Sequence, residues 1–159
     1  MPVPEYIRQL RQKIGHDMLP MPAVAAIIFN EAGEVLLQLR SDNHLWALPG
    51  GAIEIGEEPA EAVIREVWEE TGLQVLPERI SGVYSGKMGL TRYPNGDEVA
   101  ITAITFVCRV VGGELKTDED ETLELGYFKV DVLPEDIMGR HQIRIQHAVS
   151  GETAFFHQP

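Results

Sequence analysis

The amino-acid sequence reads as an α/β protein, a mixed β-sheet with helices laid over it. Three observations lead there. Apolar, β-branched runs at residues 23–29 and 99–111 are bounded by Asn, Gly and Pro, the pattern of buried strands. Residues 59–71 have helical periodicity between a leading Pro59 and a trailing Gly72. Strands and helices then follow one another without the strict alternation of a parallel βαβ chain, so a mixed sheet is expected. No repeat or second-domain boundary interrupts the 159 residues, enough for one core without disulfides.

In chain order, Pro4 to Ile14 has helix character, with Ile7, Leu10 and Ile14 on one face and Gly15 as the stop. So short an amphipathic helix must pack on something, either the main body or a partner subunit; with no obvious partner within the chain, a homodimer is the expectation. His16 to Pro22 reads as a linker, which divides the chain into a helix-plus-linker at 1–20 and a main domain at 21–159. Residues 23–29 and 34–40, joined by Asn30-Glu31-Ala32-Gly33, read as a hairpin whose first strand is covered on both faces. Trp46 to Leu48 is a short strand leading into Pro49-Gly50-Gly51, where adjacent glycines allow close approach of an ion or ligand. In the helix at 59–71, Ala60, Val63, Ile64 and Val67 are the expected buried face, and Glu61 can reach back to the cap at Glu58.

Past Gly72, residues 74–75, 80–85, 99–111 and 123–130 read as strands. The long loop at 86–97 ends in a Pro-Asn-Gly turn, and 118–121 is an acidic loop. A helix start is expected at Leu133-Pro134, and a last helix from about Gly139 to Val149.

The net charge of −12 argues against nucleic acid as a partner, because phosphate backbones are held by basic clusters. It leaves room for a small phosphorylated ligand, since divalent cations can stand between carboxylates and phosphates. No run of about 18 apolar residues suggests a membrane span, and the N-terminus MPVPEYIRQLRQK lacks the apolar stretch of a secretory signal. Cys108, the single cysteine, sits in an apolar run and reads as a buried thiol. A cytoplasmic location is expected.

Chemistry concentrates in the central helix. Residues three and four apart share a face, so Glu66 neighbours Glu69 and Glu70. Three carboxylates that close repel one another, and Arg65 offsets only part of the repulsion. Hard divalent cations, which prefer carboxylate and carbonyl oxygens, would offset the rest. Gly50 and Gly51 could supply a carbonyl, and Glu57 could join from the loop. Taken alone, the glutamates also fit a solvated acidic face.

Their neighbours decide between these readings. Gly51, five residues, Glu57, seven residues, then Arg65-Glu66-Val67-Trp68-Glu69-Glu70-Thr71-Gly72-Leu73 match all nine specified positions of the Nudix box, G-x5-E-x7-R-E-U-x-E-E-x-G-U with U aliphatic. The sequence resembles a Nudix hydrolase, through the box itself and more weakly from Ala23 to Pro134. That resemblance implies an α/β/α sandwich and hydrolysis of a pyrophosphate bond, with Mg²⁺ or Mn²⁺, in a nucleoside diphosphate-linked substrate. It also implies that Glu66, Glu69 and Glu70 are metal ligands beside the Gly50 carbonyl, with Arg65 orienting them and Glu57 supporting the site. Glu121 and Glu124 are the candidates for a further catalytic carboxylate outside the box; a solvated glutamate is the other reading of each.

Around the box, Arg40 could grip a phosphate, Lys87, Arg92 and Tyr93 lie where loops select substrates, and Trp46 or Tyr93 could stack on a base. Surface or packing roles are the alternatives for each. His141 and His147 read as surface or core residues. For substrate, the chain lacks the extension of coenzyme A-type members, a proline at the offset seen in many ADP-ribose hydrolases, and the tyrosine of diadenosine polyphosphate hydrolases. Its flanking segments resemble bacterial MutT-like proteins. The expectation is a nucleoside triphosphate, nucleotide sugar or dinucleotide-type substrate, and the competing function is a non-catalytic nucleotide-sensing module.

Overall fold

The computed structural model describes residues 3–117, 120–151 and 153–158. Two sheets form the centre. The first contains β1 (Leu19–Ile28), β4 (Leu73–Tyr84), β5 (Leu90–Arg92) and β6 (Glu98–Gly113); β6 pairs in parallel with β1 along one edge and antiparallel with β4 and β5 along the other. The second is antiparallel, in the order β3 (Trp46–Ala47), β2 (Val35–Arg40), β7 (Thr122–Phe128). Helix α2 (Pro59–Thr71) and helix α3 (Gly139–Ser150) cover opposite sides, and α1 (Glu5–Ile14) leads in.

β1 shows why the chain is sandwiched. Its residues alternate sides, and both sides are dry. Val24, Ala26 and Ile28 join the core under Ala62, Val63 and Val67 of α2. Ala25 and Ile27 join the core that holds Ile145 and Ala148 of α3. A strand with two apolar faces needs cover on each, and two helices supply it. The α/β/α sandwich is therefore present, with the mixed sheet expected from the sequence.

Several local expectations are corrected. Residues 23–29 and 34–40 do not form a hairpin: only Phe29 and Val35 bridge, and β1 and β2 belong to different sheets. The turn at 30–33 is present, but the doubly buried β1 gains ten registered partners on β6 from Leu19 onward, which a solvent-facing hairpin could not match. The same pairing turns Leu19–Pro22, expected as linker, into strand. Leu133-Pro134 starts no helix, because the backbone that follows is bonded to β3: Trp46 N–H donates to the Asp136 carbonyl (3.1 Å) and Met138 N–H to the Trp46 carbonyl (3.0 Å). β4 is one strand carrying irregularities, one of them at Pro77. In the acidic loop 118–121, Asp118 and Glu119 lie outside the described residues.

α1 finds its partner within its own chain. Ile7 is buried, the Tyr6 hydroxyl donates to the Ile53 carbonyl (3.0 Å), and Arg11 donates to the Glu98 carbonyl (2.8 Å). Of the apolar stripe that called for a second subunit, the domain itself buries Ile7, while Leu10 stays exposed and Ile14 is partly buried.

Candidate active site

α2 is built to present its glutamates. Pro59 opens it, the Glu58 N–H donates to the Glu61 carboxylate (3.0 Å), and Gly72, with φ 72°, ends it. The buried face is Ala62, Val63, Glu66, Val67, Glu70 and Thr71. Ala60 and Ile64, expected inside, are exposed. The shift has a helical cause: Glu66 and Glu70 share the angular sector of Val63 and Val67, so burying the valines buries the carboxylates.

Glu66 is fully buried. Its Oε1 accepts from Arg65 Nη1 (2.7 Å), while Oε2 is buried with no hydrogen-bond partner among the described residues. Glu70 is almost as deep, and its Oε2 accepts from both the Gly50 amide (2.7 Å) and Gln38 Nε2 (2.8 Å). Burial raises the Glu66 carboxyl to about 7 and that of Glu70 to about 8, the second helped by the charge of Glu66. Glu69 stands apart: it is exposed, 3.5 Å from Arg65 Nη1. On a 3.6-residue turn, Glu70 falls about 40° to one side of Glu66 and Glu69 about 60° to the other, which carries it out of the buried sector. Among the described residues, no three His, Cys, Asp or Glu side chains are gathered as a metal-holding group. The expected convergence of three carboxylates is realised for two.

Arg65 ties the loop to the helix. It grips Glu57 with two nitrogens (2.8 and 2.9 Å) and donates to the Ala52 carbonyl (3.1 Å) as well as to Glu66. Glu57 also accepts from the Glu54 N–H (3.0 Å). Arg65 hydrogen bonds hold the Glu57 carboxyl below its ordinary value. Arg65 thus fixes Glu57, Glu66 and the Ala52 backbone relative to one another.

Gly50 has φ 151°, and a Cβ there would lie 2.2 Å from the Val24 carbonyl oxygen. Only glycine lets the loop press against β1 this closely, and the same conformation aims its amide at Glu70. It enters the site through that N–H, where the sequence pointed to its carbonyl.

Two cavities adjoin here, sharing Met21, Arg40, Asp42, Ala52, Tyr93 and Pro94. One, of about 500 Å³, contains Glu70, Gln38 and Glu121, with Ile7 and Arg11 of α1 on its wall. The other, of about 310 Å³, runs past Gly50 and Gly51 to Arg140, His141 and Arg144 of α3. Arg40 lines both, but its guanidinium is already bound to Asp42 (2.9 and 2.6 Å). Tyr93 lines both, and Arg92 lines the second. Glu124 is exposed on β7 and lines neither, nor does Lys87. Trp46 is buried edge-on against Phe128, with ring centroids 4.7 Å apart, and acts in packing.

Sequence reading missed Gln38, which bridges Glu70 to the Thr122 hydroxyl, donor to its Oε1 (2.7 Å). A glutamine inside the apolar run Val35-Leu36-Leu37-Gln38-Leu39 was the available signal. It also missed Arg140 and Arg144, the latter in helical phase with His141, Ile145 and Ala148 on the buried side of α3.

Residues 19–147 match the NUDIX domain. The chain belongs to the Nudix family. It is 35% identical over 129 residues to a MutT-like protein of Streptomyces ambofaciens, covering 81% of this chain and 77% of that one. It is 40% identical over 118 residues to an ADP-ribose pyrophosphatase of Methanocaldococcus jannaschii, covering 72% of this chain and 66% of the relative. Among solved structures, an ADP-ribose pyrophosphatase from Streptococcus suis superimposes with a TM-score of 0.66 at 28% identity, covering 86% and 97% of the two chains. A Nudix hydrolase from Nitrosomonas europaea gives 0.69 at 26% identity, covering 86% and 93%. The chain is an enzyme of the Nudix pyrophosphohydrolase kind. Nudix hydrolases generally use divalent metals, and the donors here fit one in kind: oxygen ligands only, with Glu66 Oε2 buried and unpartnered.

Proposed function

We propose that this Nudix enzyme hydrolyses the pyrophosphate bond of a small nucleoside diphosphate-linked substrate with Mg²⁺ as its cation, Mn²⁺ being able to replace it. The observation that carries the proposal is Glu66 Oε2, a buried carboxylate oxygen with no partner among the described residues, one helical turn from Glu70, which the Gly50 amide binds. Leaving such a group unsatisfied is costly, and a cation is the natural missing partner. Glu66, Glu69 and Glu70 would hold it.

A divalent cation bound there neutralises phosphate oxygens and acidifies water. The chain's own residues do the rest. The Gly50 amide and Gln38 fix one oxygen of Glu70, Oε2, and so set the orientation of its carboxylate. Arg65 holds Glu66 and Glu57 in one frame, so loop and helix move as a unit. Glu121, in the same cavity as Glu70, is the proposed further carboxylate. Of the expected substrate-binding residues, Arg40, Arg92 and Tyr93 keep that role.

Nucleotide sugar or ADP-ribose-type substrates fit the relatives named above as pyrophosphatases, and the MutT-like relative keeps nucleoside triphosphates in the panel. No helix is long and apolar enough to cross a membrane; a cytoplasmic setting belongs to this proposal, as does the absence of a nucleic-acid partner. Homodimerisation belongs to this proposal too, with Leu10 the exposed part of the α1 stripe. The test is a substrate panel with Mg²⁺ and Mn²⁺, products identified by chromatography. Turnover of at least one nucleoside diphosphate derivative, lost in Glu66→Gln, is expected. No turnover on any member by wild type would overturn the proposal.

A further inference from the structure

The second cavity is cationic, which a protein of net charge −12 does not provide by accident of composition. Arg140 and Arg144 enter it from one turn of α3 with His141 between them. Arg144 is 6% exposed, its Nε is buried without a hydrogen-bond partner, and no carboxylate pairs with Arg140 or Arg144 among the described residues. What surrounds Arg144 is the Tyr84 ring, 5.1 Å from the guanidinium carbon. Arg140 donates to the Thr91 hydroxyl (2.9 Å). His141 accepts the Leu48 N–H on Nδ1 (3.0 Å), so neutral His141 carries its proton on Nε2 and is also a donor. Burial and the charge of Arg140 together lower Arg144 to about 10.

Two guanidiniums and an imidazole N–H thus border one space, and the carboxylate that also lines it, Asp42, is bound to Arg40 and not to them. Ring contact with Tyr84 accommodates one face of Arg144 but leaves its in-plane Nε–H unanswered among the described residues. The space is continuous with the metal side, since Gly50 and Gly51 line it and the Gly50 amide binds Glu70.

We propose that this cavity receives a phosphate carried by the substrate in addition to the diphosphate that is cleaved, held by Arg140 and Arg144 with His141 as a further donor. A phosphate dianion answers both guanidiniums at once, which a carboxylate of single charge does not. The cleavable diphosphate lies at α2, and the extra phosphate lies on the α3 side of the Gly50–Gly51 loop. The inference rests on the pyrophosphohydrolase reading for its substrate but not for its binding site, so the two can fail separately.

The test uses metal-free protein titrated with ribose 5-phosphate and with ribose, followed by NMR shifts or calorimetry. Without metal the α2 site offers phosphate no free cation, since Arg65 is bound to Glu57 and Glu66. Wild type is expected to bind the phosphorylated sugar about tenfold or more tightly than ribose, the worth of a charged hydrogen-bonded contact. That ratio should fall towards one in Arg140→Gln and Arg144→Gln, and to an intermediate value in Arg144→Lys, which keeps charge but not the planar fork. A merely structural arginine would move stability and leave the ratio alone. Should Arg144→Gln not unfold cooperatively, the ratios of wild type and Arg140→Gln decide. A wild-type ratio near one, or a ratio unchanged in the variants that fold, overturns the proposal. Anhydride hydrolysis would survive that outcome; phosphate preference in a protein that hydrolyses nothing would remove the enzymatic reading and keep the cavity.

Discussion

The Gly50 amide donates to Glu70 Oε2 at 2.7 Å, joining the loop before the box to the helix that ends it. The contact exists because Gly50 adopts φ 151° against the Val24 carbonyl, where a Cβ would sit 2.2 Å from oxygen. Gly50→Ala is therefore expected to lose about 2 kcal/mol or more of stability, from backbone strain and a displaced strand contact. It should also lower kcat/KM by about tenfold or more as Glu70 loses its anchor. Urea melts and steady-state kinetics check both. Wild-type stability and activity in this variant would show that the loop is free to move off β1.

Glu66 and Glu70 make the metal-free protein sensitive to pH. Both carboxyls are raised, to about 7 and about 8, above the ordinary value of 4.5. A raised acid binds its proton more tightly in the folded state, so its stabilising contribution is full below about 4.5 and is lost as pH rises through 7 to 8. Thermal melts of wild type and Glu70→Gln in EDTA from pH 5 to 8.5 isolate the effect. The variant should gain on wild type as pH rises, and Mg²⁺ should restore wild type at the alkaline end. A gap that stays constant over this range would contradict the assignment.

His141 titrates in the opposite sense. It is held neutral, well below 6.5, by burial and then by the charges of Arg144, Arg140 and Arg40. A depressed histidine contributes stability above its unfolded value of about 6.5 and loses it as pH falls from there towards the folded value. The advantage of wild type over His141→Asn, measured by chemical denaturation, should narrow between pH 7.5 and 5.

Arg65→Lys tests the joint between loop and helix. An ammonium cannot reproduce the fork on Glu57 while also reaching the Ala52 carbonyl and Glu66. The expected result is a drop of about tenfold or more in kcat, with KM for Mg²⁺ raised as Glu66 loosens. An unchanged metal dependence would mean that Glu66 is positioned by its burial alone.

Much of the site was readable because its logic is local. Box spacing, the proline and glycine at the helix ends and the pairing of Arg65 with the glutamates all follow from a 3.6-residue turn. So does the neighbourhood of Glu66 and Glu70, one turn apart. Even here the sequence could not separate Glu69 from the other two, because three and four residues count equally as neighbours until one side of the helix is buried.

What lay beyond the sequence was every relation that depends on which distant segment a strand or helix meets. Asn30-Glu31-Ala32-Gly33 looks like a hairpin turn, yet β1 pairs with β6, since two apolar faces gain more in the middle of a sandwich than at its margin. α1 looked unpartnered until Tyr6 and Arg11 reached the body of the domain. Gln38, Arg140 and Arg144 carry no spacing signature; they become part of the site only when β2 and α3 are packed beside the Gly50 loop. The sequence by itself determined the reaction class, because the helix that holds it is a short-range object. The tertiary structure decided which carboxylates are buried, what anchors them and where the cationic cavity lies, because those depend on burial and on contacts between residues far apart in the chain.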